Sequence, residues 1–334
     1  VVLGGEAGIG KTRLAGALAE AASEADPAGR VVWGQCVDLG ADGIPYAPFL
    51  PVLRALATDM GGQRLGEMLG PGRAELARLL PELGAAAAIE PEVGRGRLFE
   101  AAARLMEQCA AARPLVVVLE DVHWADASSR ELLEFLVRNL EETRVLLVVT
   151  YRSDEIHRRH PLRPLLGELG RSPRVTRLSM GRMESSDVAS MLTYLRGQPP
   201  DPRLLADVVE RTGGLPFFVE ELAAREPEQE LPDTLRDLLL LRVEALSEPG
   251  RRMLAAASVG GLRVVHDDLV AATGLDPREL DTALKEAVDA QLLRVDRDLH
   301  GYAFRHALLR EAVYDDLLPG EQTALHDRWA GVLQ

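Results

Sequence analysis

The sequence predicts an α/β fold on a parallel sheet, followed by a helical segment and a winged-helix module. Three observations carry this reading. A glycine-rich loop, GGEAGIGKTRL (Gly4–Leu14), follows a short apolar run at the start of the chain. Two later runs, LVVVL (Leu115–Leu119) and RVLLVVT (Arg144–Thr150), lack the polar alternation of half-exposed strands and fit central parallel strands buried on both faces. Helical patterns lie between these runs, and strands alternating with helices indicate a parallel sheet.

In chain order, Val1–Leu3 begins the first strand, and a helix with small or apolar residues at Leu14, Leu18 and Ala22 follows the glycine loop. VVWGQC (Val31–Cys36) reads as a second strand. A Pro/Gly-rich connection, GADGIPYAPFLPVL, leads into Ala-rich helices out to Arg113, with breaks expected near Gly70–Gly72 and Pro91–Gly96. After LVVVL a helix is expected from about Ser129, with Ser128 and Glu131 at capping-box spacing. RVTRLSM (Arg174–Met180) reads as a shorter strand. Beyond Met180, Glu184–Leu195 and Pro202–Arg211 read as helices, and GGLPFFVEEL turns into another. The acidic stretch REPEQELPD ends this unit. About four helices follow from Leu231, then a hairpin-like LLRVDRDLHGYAF, then a helix from about Arg305; helices followed by a hairpin suggest the winged helix. The expected divisions are thus 1–180, 181–230 and 231–334.

A chain of 334 residues with 47% hydrophobic and 27% charged content has room for two or three globular domains. No apolar run reaches the ~18 residues of a membrane span. Cys36 and Cys109 show no metal or disulfide spacing and are expected to be buried, reduced thiols in a cytoplasmic protein. The net charge of −14 argues against a broad nucleic-acid footprint, which needs Lys and Arg against phosphates. The chain opens at Val1 inside an apparent strand and stops at Gln334 inside a helical pattern, as a fragment of something larger would. Only two lysines occur, Lys11 and Lys285, and one of them sits in the glycine loop.

Gly5-Glu6-Ala7-Gly8-Ile9-Gly10-Lys11-Thr12 satisfies the P-loop pattern G-x-x-x-x-G-K-[ST], after a strand and before a helix. Its glycines let successive backbone N–H groups converge on an anion at a helix N-terminus, at whose first turn Arg13 also lies. Lys11 would reach the β- and γ-phosphates of ATP, and the Thr12 hydroxyl would ligate Mg²⁺. Such a loop needs an acid at the end of a neighbouring strand, and LVVVLEDVHWAD supplies Glu120 and Asp121. Glu120 is expected to support Mg²⁺ through water and Asp121 to polarise the attacking water, although the division between the two acids stays open. In VVTYRSDE, Arg152 follows the adjacent buried strand, where its guanidinium could lie beside the γ-phosphate and tell ATP from ADP; a structural ion pair is the plainer alternative. Trp124 reads as a packing residue rather than an adenine stacker.

Together these pieces resemble the STAND branch of AAA-related P-loop ATPases, and more narrowly the ATPase module of large LuxR-type, MalT-like bacterial transcriptional regulators. The matching words are GEAGIGKTRL, PYAPF, LEDVHWAD, TYRSDE, GGLPFFVEEL, LPDTLRDLLLLRVEALS and FRHALLREAVYDDLLPGE, and they span essentially the whole chain. The resemblance implies a P-loop NTPase parallel sheet with a helical lid and a C-terminal winged-helix domain. It implies that Pro216, in Gly214-Leu215-Pro216, packs near the adenine as in the family's G-x-P lid motif, unless it is a simple helix-start proline. It also implies that His306, in FRHAL, touches ADP phosphates, although the local sequence is not the usual Met-His-Asp and a structural role fits equally. The Gly-Arg-Glu segment, helical repeats and helix-turn-helix of the family are missing from these residues.

The function expected is a nucleotide-controlled switch: ATP ties the three parts into one arrangement, ADP favours another, and slow hydrolysis resets it. An inducer and self-association on activation are expected partners, DNA only through a domain absent from this chain, and no membrane. The same module attached to a cyclase, kinase or other effector is the alternative. A replication-initiator-like ATPase that grips DNA through its winged helix is disfavoured, because Asp276–Ala290 carries five acids against two bases.

Overall fold

The computed structural model describes residues 1–332 except 28, 38–43, 71, 85–90, 141–142 and 224–232. The chain divides into two compact units, Val1–Met180 and Gly181–Gln334.

In the first unit β1 (Val2–Gly5), β2 (Arg30–Gln35), β3 (Leu115–Glu120), β4 (Val145–Arg152) and β5 (Arg177–Ser179) form one parallel sheet in the order β2-β3-β4-β1-β5. The absence of polar alternation in β3 has a direct structural counterpart. Leu115, Val117 and Leu119 enter the large core on one face of the sheet, and Val116 and Val118 join Ala15 and Val148 on the other. Helix α1 (Lys11–Ala25) packs on that second face. The first face is covered by α2 (Phe49–Met60), α3 (Gly62–Leu69), α4 (Gly72–Leu76), α5 (Pro91–Ala112), α6 (Ala127–Asn139) and α7 (Leu162–Leu169). Cys36 is buried and Cys109 half-buried, both free; burial, with Asp126 and Asp121 nearby, pushes the Cys36 thiol up to about 12, so it stays protonated.

Three local expectations differ from what forms. The Pro/Gly connection ends at Pro48, because Pro51 falls in the first turn of α2, where its missing N–H costs nothing. No break occurs at Pro91–Gly96: Pro91 opens α5, and Gly94 continues it, with the Arg78 guanidinium in the space a Cβ there would take. Helix α6 starts at Ala127, not near Ser129. Asp126 caps it, accepting from Ser129 N at 3.0 Å, while Glu131 pairs with Arg95 at 2.8 Å instead of closing a capping box.

The second unit begins with α8 (Ser185–Arg196), α9 (Pro202–Thr212) and α10 (Pro216–Ala223), joined through Val188, Leu192, Leu204, Val208, Val219 and Ala223. The turn into α10 requires its glycine: Gly214 has φ +74, and a Cβ there would lie 2.2 Å from the Met183 carbonyl. Most of REPEQELPD lies outside the described residues. Next come α11 (Asp233–Glu244), α12 (Glu248–Gly260), β6 (Arg263–Val265), α13 (His266–Thr273), α14 (Pro277–Asp289), β7 (Leu293–Asp296), β8 (Gly301–Phe304), α15 (Ala307–Asp315) and α16 (Pro319–Val332). The expected hairpin pairs β7 with β8, and β6, too short to leave a sequence signal, adds the third antiparallel strand in the order β6-β8-β7. Among the described residues no helix is long and apolar enough to cross a membrane.

Candidate nucleotide site

The sheet order decides which loops meet. β1 sits between β4 and β5, with Gly5 opposite Arg152, and β3 lies on the far side of β4. The segments after β1, β3 and β4 therefore leave the same carboxyl edge side by side, where ligands of open parallel sheets bind.

The glycine loop is shaped as an anion cradle. Gly8 and Gly10 take φ of 76° and 97°, and the first helical hydrogen bond runs from Leu14 N to Gly10 O at 2.9 Å. The N–H groups of Lys11, Thr12 and Arg13 precede that bond, and Gly10 has no side chain to cap them. Ile9 is buried and anchors the loop, with its N–H on the Glu6 carbonyl at 3.3 Å. Lys11 is only 7% exposed and folds over the loop, donating to the carbonyls of Gly5 at 3.0 Å and Glu6 at 2.9 Å. Burial lowers its pKa, and the charges of Asp121 and Asp154 partly oppose that.

Thr12 Oγ1 donates to Glu120 Oε1 at 2.6 Å, so the loop and the end of β3 share an oxygen pair. Two hard oxygen donors of this kind suit Mg²⁺, which usually takes one or two protein oxygens and completes its shell with phosphates and water. Among the described residues no group of three or more His, Cys, Asp and Glu is placed to hold a metal ion.

Asp121 stands apart from Glu120 in backbone and partners. It takes a left-handed φ of 54°, and its N–H donates to the buried Thr150 Oγ1 at 3.1 Å. Arg152 Nε lies 3.7 Å from Asp121 Oδ1, Nη1 donates to Glu155 Oε1 at 2.7 Å, and the guanidinium rests on the Trp124 ring at 4.6 Å. Trp124 packs against the core and carries this cation. The His123 side chain is fully buried; its Nδ1 accepts from Arg152 N at 3.4 Å, and its Nε2 faces Glu155 Oε2 at 3.1 Å. Burial pushes the Glu155 carboxyl up, but hydrogen bonds and charges of His123 and Arg152 outweigh this and bring it to about 2.

Gly5 to Arg13, Glu120, Asp121 and Arg152 thus gather at one edge of the first unit. Pro216 and His306 belong to the second. Pro216 is the first residue of α10, and His306 precedes α15, with Nδ1 3.5 Å from Arg182 and its ring edge-on to Phe218. Sequence reasoning passed over Glu155 and left His123 without a role. The Arg152–Glu155 spacing of three was the available signal; His123 joins them only because β3 and β4 are neighbours.

Residues 1–149 match the family model for the AAA ATPase domain. The match supports a P-loop AAA ATPase module in that part of the chain. An uncharacterised protein of Rhizobium meliloti (strain 1021) is 27% identical over 379 residues, covering 98% of this chain and 34% of its own length. The chain therefore spans about a third of that relative's length. Among solved structures, a STAND protein with a tetratricopeptide repeat sensor from Pyrococcus horikoshii aligns with 99% of this chain and 42% of its own, at 16% identity and a TM-score of 0.40. The ORC2 protein of Aeropyrum pernix, in its ADPNP–ADP complexes, aligns with 99% and 88%, at 13% identity and a TM-score of 0.49.

Proposed function

We propose that this chain is the ATP-binding switch of a bacterial transcriptional regulator of the LuxR type. The observation that carries the reading is the 2.6 Å bond from Thr12 to Glu120, which joins the phosphate loop to the acid of β3. In this reading ATP or ADP lies on the N–H groups ahead of α1, and Lys11 leaves the Gly5 and Glu6 carbonyls for the β- and γ-phosphates. Thr12 and Glu120 hold Mg²⁺, which when bound neutralises phosphate charge. Asp121 orients and deprotonates the attacking water, and Arg152 reads the γ-phosphate.

The proposed division is a nucleotide-binding domain over 1–180, a lid over 181–230 and a winged helix over 231–334. Two features of the second unit support a nucleotide-reading role. Its α8–α10 bundle carries the Gly214–Pro216 turn, and α9 and α15 are tied by Arg211 and Glu311 at 2.7 Å. The N-cap and body of α14 are acidic, with Asp276, Glu279, Asp281, Glu286 and Asp289 against Arg278 and Lys285, so the regulator's DNA contact is assigned to another domain. Self-association on activation completes the proposal.

The test is nucleotide binding and turnover by the purified chain. Micromolar binding of both ATP and ADP with Mg²⁺, and hydrolysis below about 0.01 per second, as in unaided GTPase switches, are expected. Turnover near one per second would move the chain from switch to working ATPase, and absence of binding would end the P-loop assignment.

A further inference from the structure

The Arg152 guanidinium is held on three sides. Trp124 lies beneath it, Asp121 flanks Nε, and Glu155 takes Nη1. Glu155 is tied by its second oxygen to a buried group, Nε2 of His123, whose side chain has no solvent exposure and whose Nδ1 also lies 3.8 Å from Asp121 Oδ1. His123 is itself oriented from β4, because Arg152 N approaches its Nδ1 at 3.4 Å and leaves Nε2 facing Glu155. That Nε2 is buried and makes no hydrogen bond of good geometry, so the Glu155 carboxylate at 3.1 Å is the polar group it faces. The result is a closed circuit from Arg152 backbone to His123, to Glu155, and back to the Arg152 side chain.

We propose that Glu155, anchored by His123, is the residue that makes this site select a nucleoside triphosphate over a diphosphate, by positioning Arg152. This rests on the reading of Arg152 as the γ-phosphate contact. A free arginine would lose side-chain freedom on meeting the phosphate, with an entropy cost that weakens the contact. With Nη1 fixed by Glu155 and the plane fixed by Trp124, that ordering is complete before the ligand arrives, and the remaining edge of the guanidinium is already aimed. A diphosphate has no γ-phosphate for it, so the advantage falls on the triphosphate alone. The Asp121 contact adds a consequence for turnover: the guanidinium that recognises the phosphate also sits beside the acid assigned to the water, so the circuit sets both positions together.

The experiment measures dissociation constants for ADP and a non-hydrolysable ATP analogue, with Mg²⁺, in the whole chain and four variants. Arg152→Ala tests the underlying reading: it should reduce the triphosphate preference about tenfold. An unchanged preference in that variant would overturn the reading of Arg152 itself. Glu155→Ala should lose the same preference with ADP affinity unchanged, the unchanged ADP value reporting an intact fold. Glu155→Gln, which keeps the hydrogen-bonding shape, should retain most of the preference, and the Arg152→Ala/Glu155→Ala double variant should be no worse than Arg152→Ala. If Arg152→Ala loses the preference while Glu155→Ala keeps or raises it, Glu155 does not position the arginine and the inference fails. Equal weakening of both nucleotides in Glu155→Ala would overturn it as well, as the mark of a merely structural residue.

Discussion

The phosphate loop and the ledge beside it lie on one sheet edge but are built from different materials. The loop is almost wholly backbone: two positive-φ glycines, a run of N–H groups, and one buried amine parked on carbonyl oxygens. The ledge, from Glu120 to Trp124 and Arg152 to Glu155, is almost wholly side chain, with acids, an arginine and a histidine in charged contact. A backbone cradle offers the same donors to any terminal phosphate. A side-chain ledge can place one cation at one distance and so tell phosphates apart. Binding should therefore belong to the loop, and discrimination and turnover to the ledge.

The sharpest way to break that division is Lys11→Ala. It removes the only lysine of the loop, so ATP and ADP binding should both vanish at micromolar concentration, a loss of about 100-fold or more. Retained micromolar binding by calorimetry would sink the P-loop assignment. Asp121→Asn should act on the ledge alone, leaving both dissociation constants in place while single-turnover hydrolysis slows by roughly 100-fold. Unchanged hydrolysis would move the catalytic role to Glu120 or elsewhere. Thr12→Ala joins the two regions, since it cuts the bond to Glu120. Its expected mark is a loss of about tenfold in affinity that appears only with Mg²⁺ present; an equal loss in chelator would assign Thr12 to the phosphates alone.

The same contrast explains what could be read from the sequence. The glycine loop was legible because backbone conformation is written in local residue type: glycine where φ is positive, lysine where an amine is needed. The α/β class was legible from the buried strands, since LVVVL serves both faces of the sheet. Helix ends were harder, because Asp126 and Ser128 compete as caps within two residues and only packing chooses between them. Gly94 in α5 looked like a breaker, and its contact with Arg78 of another segment was invisible locally. The His123–Glu155–Arg152 circuit was out of reach for the same reason. It joins residues 29 and 32 positions apart, through the adjacency of β3 and β4.

The smallest expected effect is also the one that isolates the ledge without any nucleotide. Glu155 has its carboxyl at about 2, below its ordinary value of 4.5, because His123 and Arg152 stabilise the ionised form more than burial opposes it. A carboxyl depressed by folding binds protons more readily when unfolded, so stability from this pair is present above about pH 4.5 and is lost as pH falls through about 2. The difference in unfolding free energy between the wild-type chain and Glu155→Gln should therefore be level from pH 7 to about 5 and shrink through pH 4 and 3. Its plateau should be of order 1 kcal/mol, because Arg152 and Glu155 are each about a quarter to a third exposed and solvent screens them. Urea melts across that range, read by far-UV circular dichroism, test it. A difference that stays constant down to pH 3 would mean that ionisation of Glu155 does not carry it, and the ledge would then hold Arg152 by packing on Trp124 instead of by its ion pair.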